Sequence, residues 1–135
     1  MAYFKDATEL YHYLGGIFRQ AETDPEVGPR LRNSGITLRL EYHGPSAILT
    51  IEMLPDGIKV HEGESDIKPD VRMQMSADDA NKYWRGEYNV AVNLARGKVK
   101  AKGPVTKILK LIPATKPLFP KYKAMMVDKD AEMAS

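Results

Sequence analysis

Residues 70–104 read DVRMQMSADDANKYWRGEYNVAVNLARGKVKAKGP, and nearly every position in the run has a structural assignment. Val71, Met73 and Met75 alternate with Arg72 and Gln74, the period of a half-buried strand. Ser76 follows as an N-cap, with Asp78 and Asp79 in the first turn, where the helix dipole favours negative charge. Ala77, Ala80 and Trp84 share the inner side of that helix, and Gly86 ends it. Tyr88, Ala91, Val92 and Ala95 repeat the pattern in a second helix closed by Gly97. Lys98 to Lys102 then reads as a strand, with Val99 and Ala101 on one side and three lysines on the other. Lysines along a strand also discourage stray edge pairing. The polar residues are caps and surface charges, and nothing in the stretch reads as catalytic.

Working outward, the N-terminal side begins with a helix capped at Asp6, with Glu9 placed to reach back as in a capping box. Leu10, Leu14, Ile17, Phe18 and Ala21 make one apolar stripe at helical spacing. Gly15-Gly16 interrupts it at a cost of about 1 kcal/mol per glycine, which points to close packing against another element. Asp24-Pro25 stops the helix, because proline disfavours the α conformation in the residue before it. Three strands follow as an antiparallel meander, with one wet face and one buried face. Ile36, Leu38, Leu40 and Tyr42 share a face in the first. Ala47, Leu49, Ile51 and Met53 do so in the second, and Ile58 and Val60 in a short third. Pro55-Asp56-Gly57 is the turn between the last two. Glu62 to Pro69 is a polar connection long enough to cross the sheet.

On the C-terminal side, Val105, Ile108, Leu109 and Ile112 stand at i, i+3, i+4, i+7 of a helix that Pro113, Pro117 and Pro120 break. A second amphipathic piece places Phe119, Tyr122 and Met126 on one side and reads as a movable lid. Residues 1–127 form one domain on this reading, and 128–135 a frayed, disordered tail.

A chain of 135 residues that is 43% hydrophobic and 28% charged is ordinary for one globular domain. With no cysteine, disulfide frameworks and thiolate metal sites are excluded. The opening MAYFKDATEL lacks the apolar core of a secretory leader. No apolar run approaches the ~18 residues of a membrane span, so the expected location is the cytoplasm. The net charge of +2 conceals an asymmetry. Residues 1–95 carry 15 acids and 10 bases, 96–127 nine bases and no acid, and 128–135 a net of −2. Such a basic block suits an anionic membrane surface or a phosphorylated head group. A solvated lysine face is the plainer alternative. Nucleic acid is not expected, since no recognition motif or aromatic interleaving accompanies the block.

No nucleophile elbow, P-loop or dinucleotide glycine fingerprint is present, and His12, His43 and His61 share no metal-ligand spacing. Asp78-Asp79 are adjacent on a helix and do not face each other. The chain therefore reads as a non-enzyme with no cofactor and no metal. The apolar surplus is more informative. Met53, Met73 and Met75 on strands, with Met125 and Met126 near the end, suit irregular space and varied guests. Core filling is the alternative for each of them, and for Trp84.

The framework Gly86 … Gly97-Lys98-Val99-Lys100-Ala101-Lys102-Gly103 resembles that of the sterol carrier protein (non-specific lipid-transfer protein) family. The passage Asp70 to Ser76 and the hairpin with its Asp56-Gly57 turn are similar too. The resemblance covers roughly residues 4–112. Val90 departs from it, standing where members often have proline, and so does Pro104, in place of a small polar residue. Neither departure is expected to touch a cavity, and Pro104 suits the first position of a helix. The resemblance implies an α+β fold, α-β-β-β-crossover-β-α-α-β, with a five-stranded, mostly antiparallel sheet covered on one face by helices. The C-terminal helix read above follows it. The resemblance further implies a hydrophobic tunnel for a sterol, fatty acid, fatty acyl-CoA or phospholipid. It carries no catalytic set, so candidate residues come from patterning. For the apolar chain they are Phe18, Met53, Met73, Met75, Trp84, Tyr88, Leu109, Ile112, Phe119 and Met126. For a head group they are Lys107, Lys110, Lys116 and Lys121. The expected partners are the lipid itself and either an anionic membrane surface or a lipid-metabolising enzyme. In that last case the protein would be an accessory presenting a lipid. Monomer and weak homodimer both fit.

Overall fold

Alternating apolar residues build the sheet, and their phase decides which face the helices cover. The computed structural model describes residues 2–134. Its strands are β1 (Ile36–His43), β2 (Ala47–Leu54), β3 (Gly57–Glu62), β4 (Val71–Ser76) and β5 (Lys100–Lys102), in the order β3-β2-β1-β4-β5. Three of the four pairings are antiparallel, and β1 and β4 run parallel. The register sets Leu38 opposite Ile51 and Val71, Leu40 opposite Leu49 and Met73, and Tyr42 opposite Ala47 and Met75. One face is therefore continuously apolar.

The opposite face is polar and cross-linked. The Arg39 guanidinium donates to Glu41 at 2.6 Å and to Glu64 of the crossover at 3.3 Å, while Gln74 donates to Glu41 at 2.9 Å. Residues 63–70 carry the chain from β3, beyond β2, to β4 on the far side of β1. The start of β4 is fixed there twice: Asp70 N–H donates to the Thr37 carbonyl, and Thr37 N–H to the Asp70 carboxylate, both at 2.8 Å. Thr50, also on this face, is fully buried and its Oγ1 has no partner among the described residues.

The first helix runs as α1 (Ala7–Leu10), a π turn (Tyr11–Gly15) and α2 (Gly16–Thr23). Glu9 N–H donates to Asp6 Oδ1 at 2.8 Å, but the Glu9 carboxylate accepts from Lys5 N–H at 3.2 Å rather than from Asp6. Leu10, Leu14, Ile17, Phe18 and Ala21 are all buried. The glycine pair does not break the helix. A methyl group on Gly16 would meet Met125 at 3.2 Å, so this glycine admits the C-terminal helix to close range, whereas one on Gly15 would press on the Arg19 side chain at 3.1 Å and touch Val60 of β3 at an ordinary 3.6 Å.

Helix α3 (Val27–Arg32) corrects the sequence reading, which passed over it. Asp24 ends α2 and then accepts from the amides of Glu26 and Val27 at 2.9 and 2.8 Å. Next come α4 (Ala77–Trp84), capped by Ser76, and α5 (Val90–Ala95), capped by Asn89. In α5 the sheltered positions are Val90 and Leu94, while Ala91, Val92 and Ala95 are exposed, so the expected inner face was displaced. The β5 strand is shorter than expected because Lys98 and Val99 belong to the turn after α5.

Helix α6 (Val105–Thr115) contains Pro113 rather than ending at it, and Pro104 precedes the helix. Pro117 lies in a 3₁₀ turn (Lys116–Leu118), and α7 (Phe119–Ala134) follows. The frayed tail expected from 128 is corrected too: α7 continues to Ala134. Lys129 is buried against Glu9, and Asp130 accepts from Arg85 at 3.0 Å and from the Tyr3 hydroxyl at 2.6 Å. Nor is α7 a lid. Tyr122 and Met126 are fully buried, and the Tyr122 hydroxyl donates to Asn81 at 2.8 Å.

Candidate functional site: an apolar cavity between sheet and helices

The apolar face of the sheet and the helices over it do not close completely. A cavity of about 90 Å³ remains, partly open to solvent. Its floor is Leu38, Leu40 and Tyr42 from β1, Met53 from β2, and Met73 and Met75 from β4. Met53 pairs with Ile36 and Met75 with Tyr42, so the floor extends six residue steps along β1, about 20 Å at ~3.3 Å per residue.

The roof comes from helices: Phe18 and Leu31 at one side, Ala80 and Trp84 of α4 in the middle, and Ile108, Leu111 and Ile112 of α6 above. None of the sixteen lining residues is charged. Three of them keep solvent contact, Tyr83, Leu111 and Ile112, and these form the rim. One polar link crosses it. The Tyr83 hydroxyl lies 2.5 Å from Thr115 Oγ1, which donates to the Ile112 carbonyl at 2.7 Å. Burial raises the Tyr83 hydroxyl to about 12, against the opposing pull of Thr115.

Six of the ten residues proposed for the apolar chain stand on the wall: Phe18, Met53, Met73, Met75, Trp84 and Ile112. The other four do not. Tyr88 precedes the α5 cap, and its hydroxyl donates to Asp79 at 3.1 Å. Leu109 is half-buried on another side of α6. Phe119 packs edge-on behind Tyr83 and Trp84, with centroids 5.5 and 6.2 Å away. Met126 is core. Val90, not expected at a cavity, lines it. Leu31 was missed with its helix, whereas Ile108, Leu38, Leu40 and Tyr42 were visible as apolar-face positions but not separable from plain core.

Of the four lysines, Lys121 is committed to Asp24 at 2.5 Å. Lys107, Lys110 and Lys116 are exposed and have no acidic partner among the described residues. Lys107 is one turn before Leu111 and Lys116 one turn after Ile112, so these two flank the rim. Lys110 does not. His12 and His43 are exposed, and His61 lies 2.7 Å from Glu52 on the polar face. Among the described residues no cluster of three His, Cys, Asp or Glu side chains could hold a metal, and no helix is long and apolar enough to cross a membrane.

The model of the SCP-2 sterol transfer family matches residues 17–116, from the middle of the first helix to the end of α6. The chain belongs to the SCP-2 sterol transfer family. Solved structures share this SCP-2 fold. The sterol carrier protein domain 2 of Helicoverpa armigera superposes with a TM-score of 0.65 at 21% identity, over 80% of this chain and 88% of that one. The apo form of sterol carrier protein 2 from Yarrowia lipolytica gives 0.60 at 18% identity, over 78% and 86%. The UbiJ-SCP2 ubiquinone synthesis protein gives 0.60 at 17% identity, over 77% and 85%. At these identities the likeness is one of fold. No curated protein matches the chain by sequence.

Proposed function

We propose that this SCP-2 chain is a non-catalytic lipid carrier that takes one hydrocarbon-rich molecule between its sheet and helices and shields it from water. The observation that carries this reading is a wall of sixteen residues without a charge, about 20 Å long and reaching solvent beside α6. Each methylene transferred from water is worth about 0.8 kcal/mol. A chain of ~12 carbons therefore supplies roughly 9 kcal/mol before ordering and association costs, against about 8 kcal/mol for micromolar binding. Selectivity by chain length is accordingly weak. An empty volume of about 90 Å³ is below the ~150 Å³ that admits a benzene. Uptake of a full chain requires α6 to move outward, and the head group then remains at the rim near Lys107 and Lys116.

Organic extraction of the purified protein, followed by mass spectrometry, should release a lipid. Fatty acids should also displace a fluorescent apolar probe saturably. An empty extract together with no displacement would sink the carrier reading. A second reading, an accessory that presents a lipid to an enzyme, draws on the likeness to the UbiJ-SCP2 ubiquinone synthesis protein. It requires a stoichiometric enzyme to co-elute with the chain when both are purified from their own cells.

A further inference from the structure

Helix α6 carries more apolar surface than the body beneath it covers. Val105, Leu109, Ile112 and Pro113 stand at i, i+4, i+7 and i+8, along one side of the helix. The first three are half-buried and Pro113 is exposed. Ile112 reaches the rim of the cavity, but Val105 and Leu109 neither line the cavity nor pack against the core. Scattered exposed apolar residues are common and mean little by themselves. The surroundings of this stripe set it apart. No acid occurs between Tyr88 and Val127, and Lys107, Lys110 and Lys116 are exposed without an acidic partner among the described residues. The most exposed large apolar side chains lie elsewhere and in other company. Val127 and Met133 of α7 stand among Asp128, Asp130 and Glu132, and Val92 of α5 has only alanines beside it on its exposed side.

We propose that the free side of α6 is a docking surface for an anionic bilayer. Val105, Leu109, Ile112 and Pro113 enter the acyl boundary of the leaflet, and Lys107, Lys110 and Lys116 meet its phosphates. A short helix with an apolar stripe beside unpaired lysines lies in such an interface, held by buried apolar area and by attraction to anionic lipid. The stripe is also continuous with the cavity mouth, because Ile112 belongs to both. Docked this way, the mouth faces the membrane, and the helix that must move for uptake is the one the bilayer grips. A hydrocarbon chain then passes between leaflet and cavity without crossing water. The proposal deepens the carrier reading by naming where the carrier meets its source of lipid, and its readout does not depend on what the cavity holds.

The chain has no cysteine, so an environment-sensitive dye can be placed at one chosen position. We compare Leu109→Cys with Asp66→Cys, an exposed site in the crossover on the opposite face of the sheet. With vesicles of phosphatidylcholine and phosphatidylserine at low salt, the dye at 109 should shift to the blue and be quenched by spin-labelled acyl chains. The dye at 66 should do neither. Unlabelled Leu109→Ser should bind these vesicles about tenfold more weakly. Its melting temperature and its displacement of an apolar probe from the cavity should stay as in wild type. A dye at 109 that remains in water while the protein sediments with the vesicles overturns the proposal, since the lysines then act alone. So does an absence of vesicle binding. A blue shift without vesicles that grows with protein concentration also overturns it, by giving the stripe to a second copy of the chain. Insertion without probe displacement upholds the docking surface and removes the carrier reading; displacement without insertion does the reverse.

Discussion

Asp24 ends α2, caps α3 through two amides, and holds Lys121 of α7 at 2.5 Å. Lys121 and the two amides hold its carboxyl at about 2, below the ordinary 3.8. A carboxylate depressed by folding contributes fully above its unfolded value, and that contribution is lost as pH falls through the folded one. We expect the stability of the wild-type protein to decline from about pH 5 toward pH 2. In Asp24→Asn the acid limb should be shallower and the neutral-pH stability lower, as urea titrations at stepped pH would record. Gly103 makes a second test. Its φ of +104° is in the region glycine favours, and a Cβ there would lie 2.2 Å from the Asp70 carbonyl oxygen. Gly103→Ala should cost at least about 2 kcal/mol, read by chemical denaturation. At this scale the sequence was legible where a side chain has one reading, as with the Asp6 and Ser76 caps. It misled where a helix boundary decided the face: placing the start of α5 after Asn89 turned Tyr88 into a loop residue.

Helices α6 and α7 both looked amphipathic, yet they are held differently. Helix α7 buries Tyr122 and Met126 completely and ties Lys121, Lys129 and Asp130 to acids or bases of other elements. Helix α6 buries Ile108, Ala114 and Thr115, with Leu111 and Ile112 only half covered at the rim. The amides of α6 should therefore exchange with deuterium well before those in the middle of α7, because few buried contacts oppose local opening. Tyr83→Phe removes the link between α4 and Thr115. It should lower stability by about 1 kcal/mol and speed uptake of a fluorescent fatty acid in stopped flow. Equal uptake rates with and without the hydroxyl would exclude α6 as the moving element. Proline obscured this division beforehand. Asp24-Pro25 was read as a stop and the segment after it passed over, and Pro113 looked like a break, because sequence rules treat proline as an end and not as a tolerated first-turn or kinking residue.

Across the molecule, charge is sorted. Of the nine cations from Arg96 to Lys123, only Lys121 has an ion-pair partner among the described residues, whereas Arg19, Arg32, Arg39, Arg85 and Lys129 in the rest are paired. We expect the protein to sediment with vesicles containing phosphatidylserine and not with neutral ones, and added salt to release it. Lys107→Gln with Lys116→Gln should weaken that binding about 30-fold, at about 1 kcal/mol per charge. The charge block and all five strands were legible from residue order, and so was the buried phase of each strand. The β1–β4 pairing was not: alternation reports which face a residue takes but not which strand lies beside it, and a polar connection long enough to cross the sheet does not say where β4 lands. Nor could the sequence separate cavity wall from solid core, because Met73 and Leu49 obey the same alternation. That unfilled space has a mechanical side. A ligand-free fold with a void beneath its helices shrinks when it unfolds, so hydrostatic compression should denature it readily, and occupancy by a hydrocarbon guest should raise the pressure it withstands.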